Sequence, residues 1–238
     1  LSKNLLAISV DGTSGTILAC NFDGSPLGAA LPYHVSCSEQ KEVLKILMPF
    51  GGVASGISSS LARAMRLKEK YGSNLFLRHQ ADWINGWLLG NWRWGEEGNN
   101  IRLGWDLISK QWPPAFAKQD WFKALPQIIP SGQPMSIIDP KIALSLNLPK
   151  QLIVVSGTTD ANAAVISTGA GSQDGITILG STMVLKQFVV APIEGPGITN
   201  HLIGDKWLTG GASNAGGNVL RKFFTNDQLT ELSRQINP

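Results

Sequence analysis

Residues 152–161 read LIVVSGTTDA, a stretch that passes from an apolar run through small polar residues to a carboxylate. The apolar run 152–155 predicts a short strand. Asp160 follows at the start of a segment, 161–168, that is predicted to be helical. Ligands of open α/β sheets bind at the carboxyl ends of the strands, so functional groups are expected at this turn.

The carboxylate of Asp160 has two interpretations. It can accept the proton of a hydroxyl group that attacks a phosphorus atom, which is the task of a general base. It can also serve as a plain helix N-cap, a position that aspartate often occupies. The local sequence leaves both interpretations open.

Three further loops combine Gly with Ser or Thr, at 11–15, 180–182 and 210–217. Loops of small residues allow backbone N–H groups to approach phosphate oxygens closely. None of the three contains the Gly-x4-Gly-Lys-Ser/Thr sequence of a Walker A loop. Each loop alone is also consistent with an ordinary turn, but three of them together with Asp160 favour phosphate chemistry.

Glycine-tipped strand pairs alternate with helices along the chain. The runs around the loops in 5–20 and 176–190 each predict a hairpin. A helix is predicted over 59–71, with its basic residues on a solvated face, and a final helix over 215–224. This alternation indicates α/β domains of the ribonuclease-H-like kind.

The composition excludes several functional classes. The 238 residues are 43% hydrophobic and 16% charged, with a formal net charge of +3. Lys and Arg are scattered, so nucleic-acid binding is not expected, and no apolar run reaches the ~18 residues of a membrane span. Cys20 and Cys37 lack metal-ligand spacing and are expected to be reduced thiols.

Residues 91–135 combine many Gly, Pro, Trp and Asn residues with weak periodicity. They predict a long, partly ordered excursion. Most of the tryptophans lie between Trp83 and Trp121. Tryptophan can stack on a sugar ring, but packing is the role expected for most of them.

Four segments together resemble the FGGY carbohydrate-kinase family in order and spacing: SGTTDA at 156–161, GAG at 169–171, LGST at 179–182 and GGASN at 210–214. The resemblance implies a ribonuclease-H-like (actin-like ATPase) α/β fold of two lobes. It also implies phosphorylation of a sugar hydroxyl with ATP and Mg²⁺. The most similar branch is that of the plant and cyanobacterial ribulokinase-like enzymes, which implies a ketopentose such as D-ribulose or D-xylulose.

The resemblance also implies roles for single residues. Asp160 matches the catalytic base of the family, and no metal ligands can be assigned. The residues that match the nucleotide side of the family are Gly180, Ser181, Thr182, Gly210, Gly211 and Asn214.

The DGTSG sequence at 11–15 resembles two different segments of that family. One begins these kinases and holds metal and phosphates, and the other is a later hairpin that faces the sugar. The continuation through 23–33 resembles the family's sequence just after that later hairpin. Thr13 and Ser14 are therefore predicted to face the sugar, and the phosphate hairpin is expected upstream of the chain. His34 departs from the Asn or Asp of the family.

Asp82 precedes Trp83 in a segment that resembles the family's Asp-Tyr/Trp-Leu sequence at the edge of the sugar domain. It is a candidate substrate-binding residue. A cap of a helix over 83–89 is the alternative, and the sequence leaves both open.

The resemblance predicts a sugar-binding lobe over 1–165 and the start of a nucleotide-binding lobe over 166–238, with the second lobe incomplete. The fragment alone is expected to be inactive. Alternatives are a kinase of glycerol or another polyol, and a non-catalytic paralogue that acts as a binding module. The expected partners are a sugar and ATP, without nucleic acid or membrane, in the cytoplasm or in the plastid stroma of a plant. Oligomeric state is not predicted.

Overall fold

The structure is a computed structural model that describes residues 4–180, 182–213 and 215–237. The chain forms two compact units. The first unit runs to Ser167 and includes Leu202–Asp205, and the second unit comprises Thr168–His201 and the residues from Lys206 onward. No helix of the described residues is long and apolar enough to cross a membrane.

The elements up to Ser167 are both helical and extended. They are β1 (Ala7–Ser9), β2 (Ile17–Cys20), α1 (Lys41–Leu47), α2 (Ser60–Tyr71), β3 (Phe76–His79), α3 (Gln80–Leu89), β4 (Trp94–Glu96), α4 (Glu97–Asn100), β5 (Gln127–Ile129), β6 (Pro134–Ile137), α5 (Pro140–Ser145), β7 (Ile153–Val155) and α6 (Asp160–Ser167).

The later elements are mostly extended. They are β8 (Gly175–Leu179), β9 (Met183–Val189), β10 (Ile198–Ile203), β11 (Lys206–Ser213) and α7 (Asn226–Arg234). The strands form one sheet in the order β10-β11-β9-β8.

The strand predicted at 152–155 is confirmed as β7, and it lies at the centre of a three-stranded sheet of order β1-β7-β6. Val154 is fully buried there. β1 pairs with β7 in parallel, so that Ala7 lies opposite Ile153 and Ser9 opposite Val155. Because the two strands are parallel, the loops that follow them leave the sheet at the same edge.

The hairpin predicted within 5–20 is wrong. β1 pairs with β7, and β2 pairs instead with β3 in antiparallel fashion. All four residues of β2 are buried, with Ile17 and Cys20 at zero exposure. The local sequence indicates two strands on either side of a loop. Which strand each of them pairs with depends on packing against segments that are distant in the sequence.

The second hairpin prediction, within 176–190, is confirmed: β8 and β9 pair in antiparallel fashion across a short turn. The predicted loop 210–217 is wrong over residues 210–213, because these residues form the end of β11 and pair with β9. The final helix predicted over 215–224 is a 3₁₀ helix over Gly217–Lys222.

The predicted helix 59–71 is confirmed as α2, which Ser59 caps by accepting a hydrogen bond from the Ala62 N–H. α2 packs its apolar residues into the main core of the first unit. Arg63 does not lie on a solvated face as predicted, since its side chain is entirely buried.

The predicted excursion 91–135 is ordered around aromatic packing. Trp105, Trp112, Phe116 and Trp121 form a chain of ring contacts with centroid separations of 5.1–6.3 Å. Trp121 is 2% exposed. The packing role expected of the tryptophans is confirmed for these residues.

Candidate functional site

The loops after β1 and β7 meet at the edge of the three-stranded sheet. Gly12 forms a parallel bridge with Thr159, and the Asp160 N–H donates to the Gly12 carbonyl oxygen at 3.0 Å. The Thr158 N–H donates to Asp11 Oδ1 at 3.0 Å. The backbone of the first loop is thereby held against the start of α6.

Asp160 lies at this junction with an exposed side chain. The Ser14 N–H donates to its Oδ1 at 3.4 Å, although the two residues are 146 positions apart in the chain. The Ala161 N–H donates to the same oxygen at 2.8 Å. The structure therefore brings the predicted base and a predicted sugar-facing residue together.

The alternative reading of Asp160 as an N-cap is not what the structure shows. Asp160 is the first residue of α6, and the preceding Thr159 accepts a hydrogen bond from the Asn162 N–H through its Oγ1 at 3.3 Å. Thr159 therefore has the capping role, and the Asp160 carboxylate sits in the first helical turn, where negative charge is favourable.

Gly157 permits this close approach of the two loops. A Cβ at this position would lie 2.1 Å from the Val10 carbonyl oxygen and 2.9 Å from Asp11 Oδ1. Any other residue would push the two strand ends apart. Close packing of the two loops therefore explains why the SGTTDA sequence has glycine at position 157, without reference to a ligand.

A cavity of about 530 Å³ adjoins the loops within the first unit. Asp11, Ser156 and Thr158 line it together with Ser131 and Gln133. This volume is in the range of small-molecule sites. Thr13, Ser14 and Asp160 lie next to the residues that line the cavity rather than among them.

Two basic side chains approach the first loop at Gly15, which has a φ of +84°. A Cβ on Gly15 would lie 3.0 Å from Nη2 of Arg63 and 3.7 Å from Cδ of Arg102. Arg63 is buried and Arg102 is exposed. Sequence reasoning missed both, because nothing in their local sequence indicates that they reach residues 48 or more positions away.

Asp82 is 2% exposed and takes part in an internal network. Its Oδ1 accepts from the Glu96 N–H at 2.9 Å, and its Oδ2 accepts from the Asn100 side-chain amide at 3.0 Å. The N-cap of α3 is His79, so the alternative of Asp82 as a helix cap is wrong. Its contact with the sugar stays a prediction.

Glu96 joins the same network and is 2% exposed. Its carboxylate accepts hydrogen bonds from Ser131 Oγ at 2.5 Å and from the N–H groups of Gly98 and Asn99 at 2.7 Å each. Burial outweighs these bonds and raises the pKa of Glu96 from 4.5 to about 7.

We expect this raised pKa to appear in the pH dependence of stability. The folded state binds a proton at Glu96 more tightly than the unfolded state, so the free energy of unfolding falls as pH rises from about 4.5 to about 7. Urea unfolding between pH 4 and 8 should show a shallower fall for Glu96→Gln. The control is Glu42→Gln, since the hydrogen bond with Lys45 lowers the pKa of Glu42, and a lowered carboxyl pKa cannot produce a fall in stability with rising pH. If the unfolding free energy of Glu96→Gln fell with pH as steeply as that of the unmodified protein, the pH dependence would not arise from Glu96.

In the second unit, Gly180 and Thr182 lie at the exposed tip of the β8–β9 hairpin. The Gly180 N–H donates to the Thr182 carbonyl oxygen at 2.9 Å, and the Gly217 N–H donates to the Gly180 carbonyl oxygen at 2.7 Å. A Cβ on Gly217 would lie 2.9 Å from that oxygen. Gly217, the last residue of the predicted loop 210–217, thus contacts the tip of this hairpin. Ser181 lies outside the described residues.

Gly210 and Gly211 lie in β11 opposite Lys186 and Leu185 of β9. A Cβ on Gly210 would lie 2.2 Å from the Leu185 carbonyl oxygen. Close strand packing therefore accounts for this glycine, and nucleotide contacts by Gly210 and Gly211 stay predictions. Asn214 lies outside the described residues.

No model of a known protein family matches the chain, but solved structures do. A ligand-bound xylulose kinase from Lactobacillus acidophilus matches with a TM-score of 0.72 at 16% identity, over 97% of this chain and 52% of that one. A gluconate kinase from the same organism matches with a TM-score of 0.75 at 15% identity and the same coverage.

The glycerol kinase of Plasmodium falciparum with ADP matches with a TM-score of 0.72 at 13% identity, again over 97% of this chain and 52% of that one. The chain thus spans about half the length of these structures. The predicted α/β fold is confirmed: the chain has the actin-like ATPase fold of FGGY-type sugar kinases. Likeness at this level of identity establishes the fold and leaves the substrate open.

Proposed function

We propose that the protein is an ATP-dependent sugar kinase that phosphorylates a hydroxyl of a ketopentose, D-ribulose or D-xylulose, as in the ribulokinase-like branch. The observation that carries the proposal is the meeting of Asp160 with the loop 11–15. An exposed carboxylate is held beside a loop of small residues at the carboxyl end of two parallel strands. This is where α/β folds bind ligands.

The chemistry asked of Asp160 is a single proton transfer. As a sugar hydroxyl oxygen forms a bond to the γ-phosphorus, the carboxylate accepts the hydroxyl proton, and the bond from that phosphorus to the bridging oxygen of ATP breaks to release ADP. The Ser14 N–H, bonded to Oδ1 at 3.4 Å, restrains the rotation of the carboxylate. Orientation of this kind contributes to rate because the reacting groups are placed before the reaction.

The first unit would bind the sugar through Thr13 and Ser14, and the second would bind the nucleotide through the β8–β9 hairpin. The support for the second role is the exposure of Gly180 and Thr182 at this tip, where small residues allow backbone N–H groups to reach phosphate oxygens. The predicted lobes, 1–165 and 166–238, remain part of this proposal.

ATP and Mg²⁺ are the proposed cofactors. Among the residues that the structure describes, no group of three His, Cys, Asp or Glu side chains is placed to hold a metal ion. These residues do not form a metal site by themselves. Mg²⁺ commonly binds through nucleotide phosphates and one or two carboxylates, so we propose that the ion enters on the nucleotide.

A substrate panel tests the proposal. In the full-length protein, a coupled assay of ADP release should give a kcat/KM for D-ribulose or D-xylulose at least about 100-fold above that for glycerol or gluconate, since a site built to bond a set of hydroxyls rejects poor matches strongly. Equal or greater activity with glycerol would contradict the proposed ketopentose substrate and indicate a polyol instead. Sugar binding without any ADP release would instead favour a non-catalytic binding module.

The nucleotide role of the hairpin tip is testable by Gly217→Ala. The added Cβ would meet the Gly180 carbonyl oxygen at 2.9 Å and displace the tip. Calorimetry should show ATP affinity reduced about fivefold or more, the equivalent of one lost hydrogen bond, with sugar affinity unchanged. Gly175→Ala is the matched control, because nothing lies within 4 Å of its Cβ position. Equal loss of both ligands would contradict the role of the tip.

A further inference from the structure

Arg63 is the one basic residue of α2 whose side chain is entirely buried. A buried cation is costly unless hydrogen bonds compensate for the lost water. The neighbouring positions of α2 are filled by the apolar core residues Leu61, Ala62, Ala64 and Met65. An apolar residue at position 63 would therefore satisfy the packing of α2. The presence of a charged side chain there must have another explanation.

The guanidinium of Arg63 bonds to backbone carbonyls. Its Nε donates to the Gly15 oxygen at 3.1 Å. Its Nη1 is shared among the oxygens of Tyr33 and Val35, at 2.9 Å each, and Ser58, at 3.1 Å. One side chain thus ties together the loop that contains Ser14, the segment around Tyr33, and the N-terminus of α2.

The remaining nitrogen, Nη2, is buried and has no hydrogen-bond partner among the described residues. It lies 3.0 Å from the position that a Cβ on Gly15 would occupy. Gly15 is therefore required both by its φ of +84° and by the close approach of the guanidinium.

We infer that Arg63 is a positioning residue of the sugar site: it fixes the loop 13–15 relative to the segment 33–35, and so directs the Ser14 N–H toward Asp160. The guanidinium does this because its planar fork reaches several carbonyls in fixed directions, which the point charge of lysine does not. The inference rests on the proposed function for the identity of the ligand.

The test compares Arg63→Lys and Arg63→Met with Arg66→Met in the full-length protein. Arg66 lies one turn further along α2, is partly exposed, and pairs with Glu39 at 2.6 Å. Ligand-free hydrogen exchange at the Ser14 amide should accelerate about tenfold or more in the Arg63 variants, because an amide exchanges when its local structure opens. Exchange at the Leu67 amide, in the middle of α2, should stay unchanged, as should all rates in Arg66→Met.

Calorimetry provides the second measurement. Both Arg63 variants should bind a ketopentose about tenfold more weakly, with ATP affinity unchanged, because only the loop that faces the sugar loses its anchor. A third variant, Arg63→Ala, should lose sugar affinity in the same way, and added methylguanidinium should restore part of it.

Unchanged Ser14 exchange in the folded variants would overturn the inference, and so would failure of both variants to fold, which would make Arg63 a residue of general stability. Absence of ketopentose binding by the unmodified protein would refute the proposed function. In that event the exchange measurement still decides whether Arg63 positions the loop.

Discussion

Replacement of Asp160 by asparagine is expected to reduce turnover by about 10²–10⁴-fold, the range for loss of a general base. Asparagine keeps the size of the side chain and its capacity to accept the Ser14 hydrogen bond, but it does not take up the hydroxyl proton. Sugar affinity should change much less than turnover. The measurement is a coupled ADP-release assay of the full-length protein, with sugar affinity determined in parallel by calorimetry.

Asp139→Asn is the matched control. Asp139 also stands at a helix start, where its Oδ1 accepts from the N–H groups of Lys141 and Ile142. Asparagine caps helices about as well as aspartate, so turnover in this variant should stay within about twofold of the unmodified protein. Near-normal turnover in Asp160→Asn would exclude Asp160 as the base.

Gly157→Ala is expected to destabilise the first unit by about 3 kcal/mol, at the upper end of the cost of overpacking. The added Cβ would lie 2.1 Å from the Val10 carbonyl oxygen, and a backbone atom cannot rotate away as a side chain can. The ends of β1 and β7 would have to separate. Urea unfolding followed by tryptophan fluorescence measures the effect, since most of the tryptophans lie between Trp83 and Trp121.

Gly56→Ala is the control for this variant, because nothing lies within 4 Å of its Cβ position. It should change stability by less than about 0.5 kcal/mol, as is usual for surface substitutions. If Gly157→Ala were as stable as Gly56→Ala, the loops after β1 and β7 would not be as closely packed as the account requires.

The strand–loop–helix unit at 152–167 could be predicted from the sequence because all its signals are local. A short apolar run, a loop of small residues and a following helix require no knowledge of distant segments. The same holds for the hairpin within 176–190 and for α2, whose cap Ser59 and stop Gly72 are adjacent to it. The resemblance to a family then gave Asp160 its role.

The pairing of β1 could not be predicted in the same way. Its partner β7 begins more than 140 positions later, and a loop of glycine, serine and threonine is compatible with both a hairpin turn and a crossing to another sheet. The buried position of Arg63 was missed for a related reason. Four backbone carbonyls from three separate segments accept its hydrogen bonds. Every residue has a backbone carbonyl, so the sequence does not indicate which ones accept hydrogen bonds from a distant side chain.

Asp82 shows how one motif can have two readings. The sequence offered a ligand contact or a helix cap, and the structure places its carboxylate in a buried network with Glu96 and Asn100. Neither partner could be inferred, because both lie in the stretch 91–135. The weak periodicity of this stretch does not indicate which of its residues face Asp82. Aromatic packing, rather than repeating polarity, orders that stretch.

The most direct test of the central claim is a ¹H–¹⁵N NMR titration of the protein with D-ribulose and D-xylulose. The claim is that the loop 11–15 and the start of α6 form one sugar site. The amide signals of Ser14 and Ala161 should then shift together and saturate at the same sugar concentration, while that of Gly175 stays in place. A titration that saturates without moving Ser14 and Ala161, or that moves only one of them, would contradict the claim.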